Sequence, residues 1–196
     1  MNPTTTTRMK SEERRELVLD AATQVFGESG YQGATTDAVA RAAGVSQPYV
    51  VRMFGTKEAL FLAVVQRALD KLLAAFRAEL AAGDDPGECL GRAYVGLLAD
   101  RGLLLSLMHA FALGTHPEIG ALARRGMLEV YRMIREEAGL DAEQAGGFLA
   151  HGMLINTVIA MRLGEAHDPL AAELLATVLS PDSGRLAGLD ETRLSS

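Results

Sequence analysis

The sequence has little of what disulfide-bonded, metal-binding or membrane-spanning proteins need. It contains one cysteine, Cys89, so no disulfide can form within the chain, and it contains no tryptophan. Aromatic residues make up 5% of the 196 residues, and no apolar run reaches the length of a membrane span. The four histidines do not occur at the spacing of metal ligands. These absences predict a cytoplasmic protein that holds no metal, uses no cofactor and enters no membrane.

Patterns typical of catalysis are also missing. No nucleophile–base pair, phosphate-binding loop or pair of catalytic carboxylates stands at a recognisable spacing, so we do not expect an enzyme. Hydrophobic residues make up 48% of the chain and prolines number only six, which is typical of a folded globular protein. No alternation of apolar and polar residues indicates a strand. The composition therefore predicts an all-α fold.

Two short helical patterns flank Gly44 in the N-terminal part of the chain. Thr35 is the predicted N-cap of the first helix, and Ser46 is the predicted N-cap of the second, with Pro48 in its first turn. Gly44 stands where a helix can end in the left-handed conformation. Two helices joined by a tight glycine-containing turn predict a helix-turn-helix, although an ordinary helical hairpin fits the same residues.

A longer helix is predicted before this pair. It begins after Ser11 and ends between Gly27 and Gly30. Its apolar face consists of Leu17, Val18, Ala21, Val25 and Phe26. We expect this helix to pack across the pair, so that residues 11–56 form a three-helix domain behind a flexible tail of residues 1–10.

Residues 18–62 resemble the DNA-binding domain of the tetracycline-repressor (TetR) family in both residue type and spacing. The matching positions are Ala21, Ala22, Phe26, Gly30, Tyr31, Thr35, the run A-x-x-A-G-V-S from Ala40 to Ser46, Phe54, Gly55, Lys57, Glu58 and Leu60. The resemblance implies a dimeric, ligand-responsive transcriptional regulator. It also implies that the residues that meet DNA include Thr35, Tyr49, Arg52 and Lys57.

The second helix of the pair is predicted to carry the residues that read DNA. Val50 and Phe54 point inward on a helical projection. The residues left outward are Gln47, Pro48, Tyr49, Arg52 and Met53. Glutamine can pair with adenine and arginine with guanine, while a tyrosine or proline ring can pack on a thymine methyl group. Thr35 and Lys57 stand at helix starts that suit phosphates, and Ser46 completes the candidate set.

One substitution and the charge distribution affect how DNA would be held. Val51 stands where the family often has a tyrosine that binds a phosphate, so we expect that contact to be absent or supplied by Tyr49. Residues 1–56 carry equal numbers of basic and acidic side chains, so the net charge of −6 comes from the rest of the chain. A neutral domain suits binding through a few placed cations and helix N-termini, without strong non-specific affinity.

A second helical domain is predicted over residues 57–180, followed by a tail of residues 181–196. Its first helix is long and starts at Thr56. Further starts carry cap signals at Asp85, Thr115, Asp141 and Asp168. With the N-terminal helices, these elements give about nine helices in total. The second domain is expected to bind a ligand and to form the dimer.

The last two helices, at about residues 141–163 and 168–179, are the predicted homodimer interface. Their apolar faces include Met153, Leu154, Val158 and Met161 on the first, and Leu170, Leu174, Leu175 and Val178 on the second. Two such helices can form a four-helix bundle with a symmetry mate. On the pattern alone, burial of both faces within one chain is the alternative.

An effector pocket is predicted between the long helix and the segments that span residues 90–160. The candidate lining residues are Phe76, Tyr94, Leu98, Leu107, Met108, Phe111, Met127, Tyr131, Ile134 and Met153, with the polar side chains of His109, His151 and Asn156. Methionine and aromatic residues at helical spacing suit a plain core equally well. The low aromatic content favours an aliphatic or mid-sized effector over a large planar one.

Taken together, these features predict a homodimeric repressor that binds a pseudo-palindromic operator in double-stranded DNA and is released by a small molecule. The competing interpretation is a helical ligand-binding or enzymatic bundle whose helix-turn-helix docks a protein. That alternative predicts that Gln47, Tyr49 and Arg52 can each be replaced by alanine without any loss of DNA affinity.

Overall fold

The structure, a computed structural model, describes residues 3–83 and 85–179, with side chains from residue 11 onward, and the regular elements in these ranges are all helical. The described ranges contain nine α-helices, namely α1 Pro3–Gly33, α2 Thr36–Ala42, α3 Gln47–Phe54, α4 Lys57–Ala82, α5 Pro86–Leu97, α6 Arg101–Ala112, α7 Pro117–Arg132, α8 Ala142–Ala160 and α9 Pro169–Val178. A π-helical turn, Met133–Glu137, extends α7, and a 3₁₀ turn, Leu163–Ala166, follows α8. The described ranges contain no strand, which confirms the predicted all-α fold. The predicted tail of residues 181–196 lies outside them.

The helices were also compared with the length and apolar composition that a membrane span needs. Within the described ranges, no single helix is both long and apolar enough to cross a membrane. Helices α5 and α6 meet the length and composition of a span only when they are joined across a sharp bend.

Capping signals determine where several helices begin. The Asp141 carboxylate accepts the Gln144 N–H at 2.8 Å, and the Gln144 side chain accepts the Asp141 N–H at 2.9 Å. This is the predicted capping box, and it satisfies donors that a helix start otherwise leaves unpaired. Asp85 and Asp168 cap α5 and α9 at the predicted positions, each directly before a proline.

The first helix begins earlier than the sequence pattern predicted. It starts at Pro3, where a tail was expected, because proline suits a first helical turn and most of residues 8–16 are strong helix formers. Helical geometry breaks at Gly30, where φ is 65°. The buried stripe consists of Val18, Ala22 and Phe26. Leu17 was expected inside but is 49% exposed, because it lies about 100° around the helix from that stripe.

The chain divides into two compact units. Unit 1 combines the residues up to Asp70 with Asp100–Gly126, and unit 2 combines Lys71–Ala99 with the residues from Met127 onward. Unit 1 therefore contains α1, α2, α3, the first part of α4, α6 and the start of α7. The functional boundary expected after residue 56 stays a prediction.

Aromatic rings and a close helix crossing hold unit 1 together. Phe26 and Phe61 are fully buried with ring centroids 4.8 Å apart, and the Tyr31 ring lies 5.1 Å from that of Phe61. Helices α1 and α6 touch through their backbones, since a Cβ on Gly27 would lie only 2.9 Å from the Gly102 Cα. Both positions need glycine because no side chain fits between the two helices.

Candidate nucleic-acid interface and effector region

Helices α2 and α3 are joined by the tight turn that the sequence predicted. The Thr35 hydroxyl caps α2 by accepting the Ala38 N–H at 3.0 Å. Gly44 follows with a φ of 65°, which glycine adopts at little cost. The Val45 N–H then bonds back to the Ala40 carbonyl at 3.0 Å. The left-handed glycine reverses the chain and allows α3 to start shortly afterwards.

Ser46 occupies the N-cap position of α3, but its hydroxyl makes no capping hydrogen bond. The side-chain cap expected from the sequence is therefore wrong. Pro48 stands at one of the two positions whose N–H a capping hydroxyl normally accepts, and proline has no N–H. The Ser46 carbonyl accepts the Tyr49 N–H at 3.0 Å and the Val50 N–H at 3.3 Å instead.

Helix α3 buries an apolar face and turns a polar face outward. Val50 is fully buried and Phe54 is half-buried, in agreement with the predicted inner face. On the outer face, the exposed residues are Gln47, Pro48 and Arg52, and the half-buried residues are Tyr49 and Met53. The Arg52 guanidinium lies 5.1 Å from the centre of the Tyr49 ring, so the two form a cation–π pair.

Two further contacts fix α3 against its neighbours. The Gln47 amide donates to the Thr36 hydroxyl of α2 at 3.3 Å. The Arg15 guanidinium of α1 lies 4.5 Å from the centre of the Phe54 ring. Because these contacts come from both preceding helices, they set the orientation of α3 while its outer face stays open.

Lys57, a predicted phosphate contact, makes bonds within unit 1. Its ammonium donates to the carbonyls of Tyr31 at 3.0 Å and Ala34 at 3.3 Å, and it lies 4.6 Å from the centre of the Tyr31 ring. The neighbouring Glu58 carboxylate is 3.7 Å from His116 Nε2. Partial burial, followed by the nearby Glu58, raises the pKa of Tyr31.

Unit 2 contains a buried polar contact surrounded by aromatic rings. The Tyr94 hydroxyl is 2.8 Å from Asn156 Oδ1 and 3.0 Å from the Gly152 carbonyl. The rings of Phe76 and Tyr94 each lie edge-on to that of Phe148, at 5.7 and 6.2 Å. Burial raises the pKa of Tyr94 to about 12, and its hydrogen bond with Asn156 opposes that rise. Tyr94 is therefore a neutral hydroxyl at ordinary pH.

The predicted pocket residues are divided between the two units. Phe76, Tyr94 and Asn156 meet in unit 2. The others in unit 2 are the buried Ile134 and the half-buried Leu98, Met127, Tyr131, His151 and Met153. Three predicted lining residues belong to unit 1, namely Leu107, Met108 and Phe111. His109, also in unit 1, lies with Nε2 3.3 Å from the Gly27 carbonyl.

The turn, the capped helices and the open polar face of α3 are features of a DNA-binding helix-turn-helix, and comparison with known proteins supports this. Residues 18–64 match the family model of bacterial regulatory proteins of the tetR family. The HTH-type transcriptional activator FasR of Mycolicibacterium smegmatis is 32% identical over 165 residues, which are 79% of this chain and 74% of that protein. The chain belongs to the TetR family. It is a helix-turn-helix transcriptional regulator.

Other TetR-family similarities are local or concern the fold. The regulator BetI of Rhizobium meliloti is 41% identical over 59 residues, or 30% of this chain and 29% of that protein. A TetR-family structure from Streptomyces coelicolor A3 has a TM-score of 0.61 at 22% identity, covering 86% of this chain and 99% of that one. The fatty acid degradation regulator FadR from Bacillus halodurans has a TM-score of 0.59 at 19% identity, covering 85% and 98%. These two structures show a shared fold.

Large apolar side chains are exposed on the last two helices of this TetR-family chain. On and just after α8, Leu154 is 41% and Met161 66% exposed. On α9, Leu170 is 73% and Leu174 41% exposed. Two members of the predicted apolar faces, Val158 and Val178, are buried within unit 2. The faces are thus divided between the core of unit 2 and its surface.

The sequence reasoning missed two residues that make contacts, Arg67 and Phe148. Arg67 of α4 forms ion pairs with Glu16, at 3.4 Å, and with Asp20 of α1. No local sequence pattern predicts these ion pairs, because Arg67 lies far from Glu16 and Asp20 in the sequence. Phe148 was missed although a signal existed, since it stands at helical spacing of four before Gly152.

Within the ranges that the structure describes, no group of three or more His, Cys, Asp or Glu side chains is placed to hold a metal ion.

Proposed function

We propose that this TetR-family regulator is a homodimeric repressor that holds operator DNA through α3 and releases it when a small molecule binds unit 2. The observation that carries the DNA-binding part is the outer face of α3. There, Gln47 and Arg52 are exposed and Tyr49 is half-buried, on a helix that contacts from α1 and α2 hold in place. A cytoplasmic location, where the operator is, follows from this role.

The chemistry of the α3 face assigns a role to each side chain. Gln47 pairs with an adenine, and Arg52 pairs with a guanine through its guanidinium fork. The half-buried Tyr49 and Met53, with Pro48, pack against thymine methyl groups. The hydroxyl of Ser46, which makes no cap, binds a phosphate at the start of α3.

Thr35 acts at the start of α2. Its oxygen already accepts the Ala38 N–H, so its hydroxyl hydrogen is the group that can reach a phosphate oxygen. The exposed Val51 has no polar atom to offer, and Tyr49 is the neighbouring aromatic side chain that can supply a hydroxyl in its place.

A homodimer through α8 and α9 explains their exposed apolar side chains. Leu154, Met161, Leu170 and Leu174 are large exposed apolar side chains on or directly after two helices that contact each other, and such groups often mark a protein–protein interface. Two copies that pair through these helices form a four-helix bundle. Two recognition helices about 34–36 Å apart would then read a pseudo-palindromic operator.

The effector would bind beside the Tyr94–Asn156 contact, where a buried hydroxyl and amide stand among aromatic rings. A site of this kind suits a mainly apolar molecule with one polar group. Helix α4 passes from unit 1 into unit 2, so a tilt of α4 can move α3. Release requires the effector to prefer the non-binding state by about 1–3 kcal/mol.

We infer that the chain acts by binding alone, without catalysis or a cofactor. This inference rests on the curated relatives, which are transcriptional regulators. FasR carries the name of an activator, and the direction of regulation depends on where the operator lies relative to the promoter. A promoter–reporter assay with the operator in its natural position tests the proposed repression, since activation would reverse the sign of the response.

Selection of bound sequences from a random duplex library, at a fixed salt concentration, tests the DNA-binding proposal. A two-fold-related motif with half-sites about one helical turn apart is the expected result. Enrichment of a single half-site would contradict the proposed binding as a dimer. No enrichment, with or without cell extract, would favour a helix-turn-helix that docks a protein.

A further inference from the structure

We propose that Lys57 acts as a positioning residue, whose ammonium holds the α1–α2 junction in the DNA-binding arrangement rather than contacting a phosphate. The proposal rests on the proposed DNA-binding function for its affinity readout. It also predicts a change in the free protein, which can be measured without DNA.

The bonding of the Lys57 ammonium is the first argument. An ammonium has three N–H donors and no acceptor. Two donors are used by the carbonyls of Tyr31 and Ala34, at 3.0 and 3.3 Å, and the face of the Tyr31 ring lies 4.6 Å away. The side chain is half-buried. Most of its positive charge is therefore satisfied inside unit 1 before DNA arrives.

The position of Lys57 on α4 is the second argument. A cation in the first turn of a helix faces the positive end of the helix dipole, which is unfavourable by roughly 0.3–1 kcal/mol at the surface. Two carbonyl oxygens and an aromatic face offset that cost here. The neighbouring Glu58 adds a negative charge in the same turn.

The junction that Lys57 holds leads directly into the helix-turn-helix. The backbone leaves helical geometry at Gly30, so the carbonyls that follow need hydrogen-bond donors from outside the helix. Ala34, one of the two bonded residues, immediately precedes Thr35, which caps α2. Helix α2 in turn packs against α3. Loss of the ammonium would loosen the junction and misplace α3.

Two uncharged variants separate positioning from phosphate contact. Lys57→Met removes both the donors and the charge, whereas Lys57→Gln removes the charge but keeps an N–H₂ group. Positioning predicts that Lys57→Met loses at least about tenfold in affinity for the selected duplex, and that Lys57→Gln loses clearly less. For both variants, the slope of log K against log salt should stay within about 0.3 of the wild-type slope.

A direct phosphate contact predicts a different pair of results. Both variants would lose affinity equally, and both slopes would fall by about one unit, because one fewer counterion is released. Either of these results would overturn the proposal. Unchanged affinity in a folded Lys57→Met protein would overturn it as well, since the junction would then not need the ammonium.

Amide hydrogen exchange of the free protein supplies a readout that does not depend on DNA. Positioning predicts faster exchange at the Ala34 and Ala38 amides in Lys57→Met, with less change in Lys57→Gln and unaltered protection around Phe61 in the core of unit 1. Unchanged exchange at the junction would contradict the proposal. If the wild type binds no DNA at all, this result still decides the role of Lys57.

Discussion

The two units differ in what they leave on their surfaces. Nine large apolar side chains are exposed in the described part of the chain, and only Leu17 and Val51 of these lie in unit 1. The other seven lie in unit 2, and five of them are on or directly after α8 and α9. In unit 1, the outer face of α3 offers an amide, a phenol and a guanidinium instead.

This difference separates two kinds of recognition within one chain. Polar groups with fixed directions can read base edges, because hydrogen bonds depend on geometry. Apolar side chains lack that directionality, but they gain free energy when a partner removes them from water. This difference supports the proposals that unit 1 reads DNA and that unit 2 meets another copy of itself and a mainly apolar effector.

The largest expected effect comes from placing charges on the exposed apolar helices. Leu154→Asp combined with Leu174→Asp should abolish the dimer, because like charges would face each other across the symmetric interface. The apparent affinity for a two-half-site operator should fall at least about a hundredfold with the loss of the second half-site contact. Sedimentation and operator titration measure both quantities.

The control is Val95→Asp, which places a charge at a 51% exposed apolar position on α5 of the same unit. It should remain dimeric and bind the operator normally. A double variant that stays dimeric would show that α8 and α9 do not form the interface, and the comparison between the units would then need another explanation.

Breaking the buried polar contact of unit 2 should cost about 1–3 kcal/mol of unfolding free energy. Tyr94→Phe removes the hydroxyl and leaves Asn156 Oδ1 and the Gly152 carbonyl without that donor. Denaturant unfolding at neutral pH measures the loss. Equal stability of the variant and the wild type would mean that the contact makes no net contribution to the free energy of unfolding.

The same tyrosine predicts a pH dependence. Burial raises its pKa from 10.0 to about 12, so the folded state holds the proton more tightly than the unfolded state. Its contribution is complete below about pH 10 and is lost as pH rises toward about 12. The stability difference between wild type and Tyr94→Phe should shrink over that window, and a constant difference would contradict the assignment.

An effect of comparable size is expected at the α1–α6 crossing of unit 1. Gly102→Ala should destabilise by about 1–3 kcal/mol, because the new Cβ would lie 3.0 Å from the Thr23 carbonyl oxygen. Gly91→Ala in α5 is the matched control, since nothing lies within 4 Å of its Cβ position. The control should gain about 0.5–1 kcal/mol from helix propensity. Similar thermal unfolding of both variants would show that the crossing is loose.

Features set by a few neighbouring residues were predictable from the sequence. The Asp141–Gln144 capping box and the left-handed Gly44 depend on hydrogen bonds and sterics within one turn of chain. The matching spacings of residues 18–62 were sufficient to identify the family. One local prediction was wrong: the Ser46 hydroxyl does not cap α3, where Pro48 lacks the N–H that a cap could accept.

Contacts between distant segments were not predictable in the same way. The ion pairs of Arg67 with α1 and the bonds of Lys57 to the α1–α2 junction join residues that no periodicity connects. The sequence pattern places Lys57 at a helix start and predicts a phosphate contact there. The structure adds two carbonyl partners that compete for the same ammonium.

The measurement that tests the account most directly is the affinity of wild type and Arg52→Ala for the selected operator and for duplexes altered at each base position. The account predicts a loss of about 1–3 kcal/mol for the variant and a loss of base preference at one position in each half-site. The exposed Arg132 of α7 provides the control, and Arg132→Ala should bind as the wild type does. Unchanged affinity and unchanged preference in Arg52→Ala would contradict the claim that the outer face of α3 reads DNA.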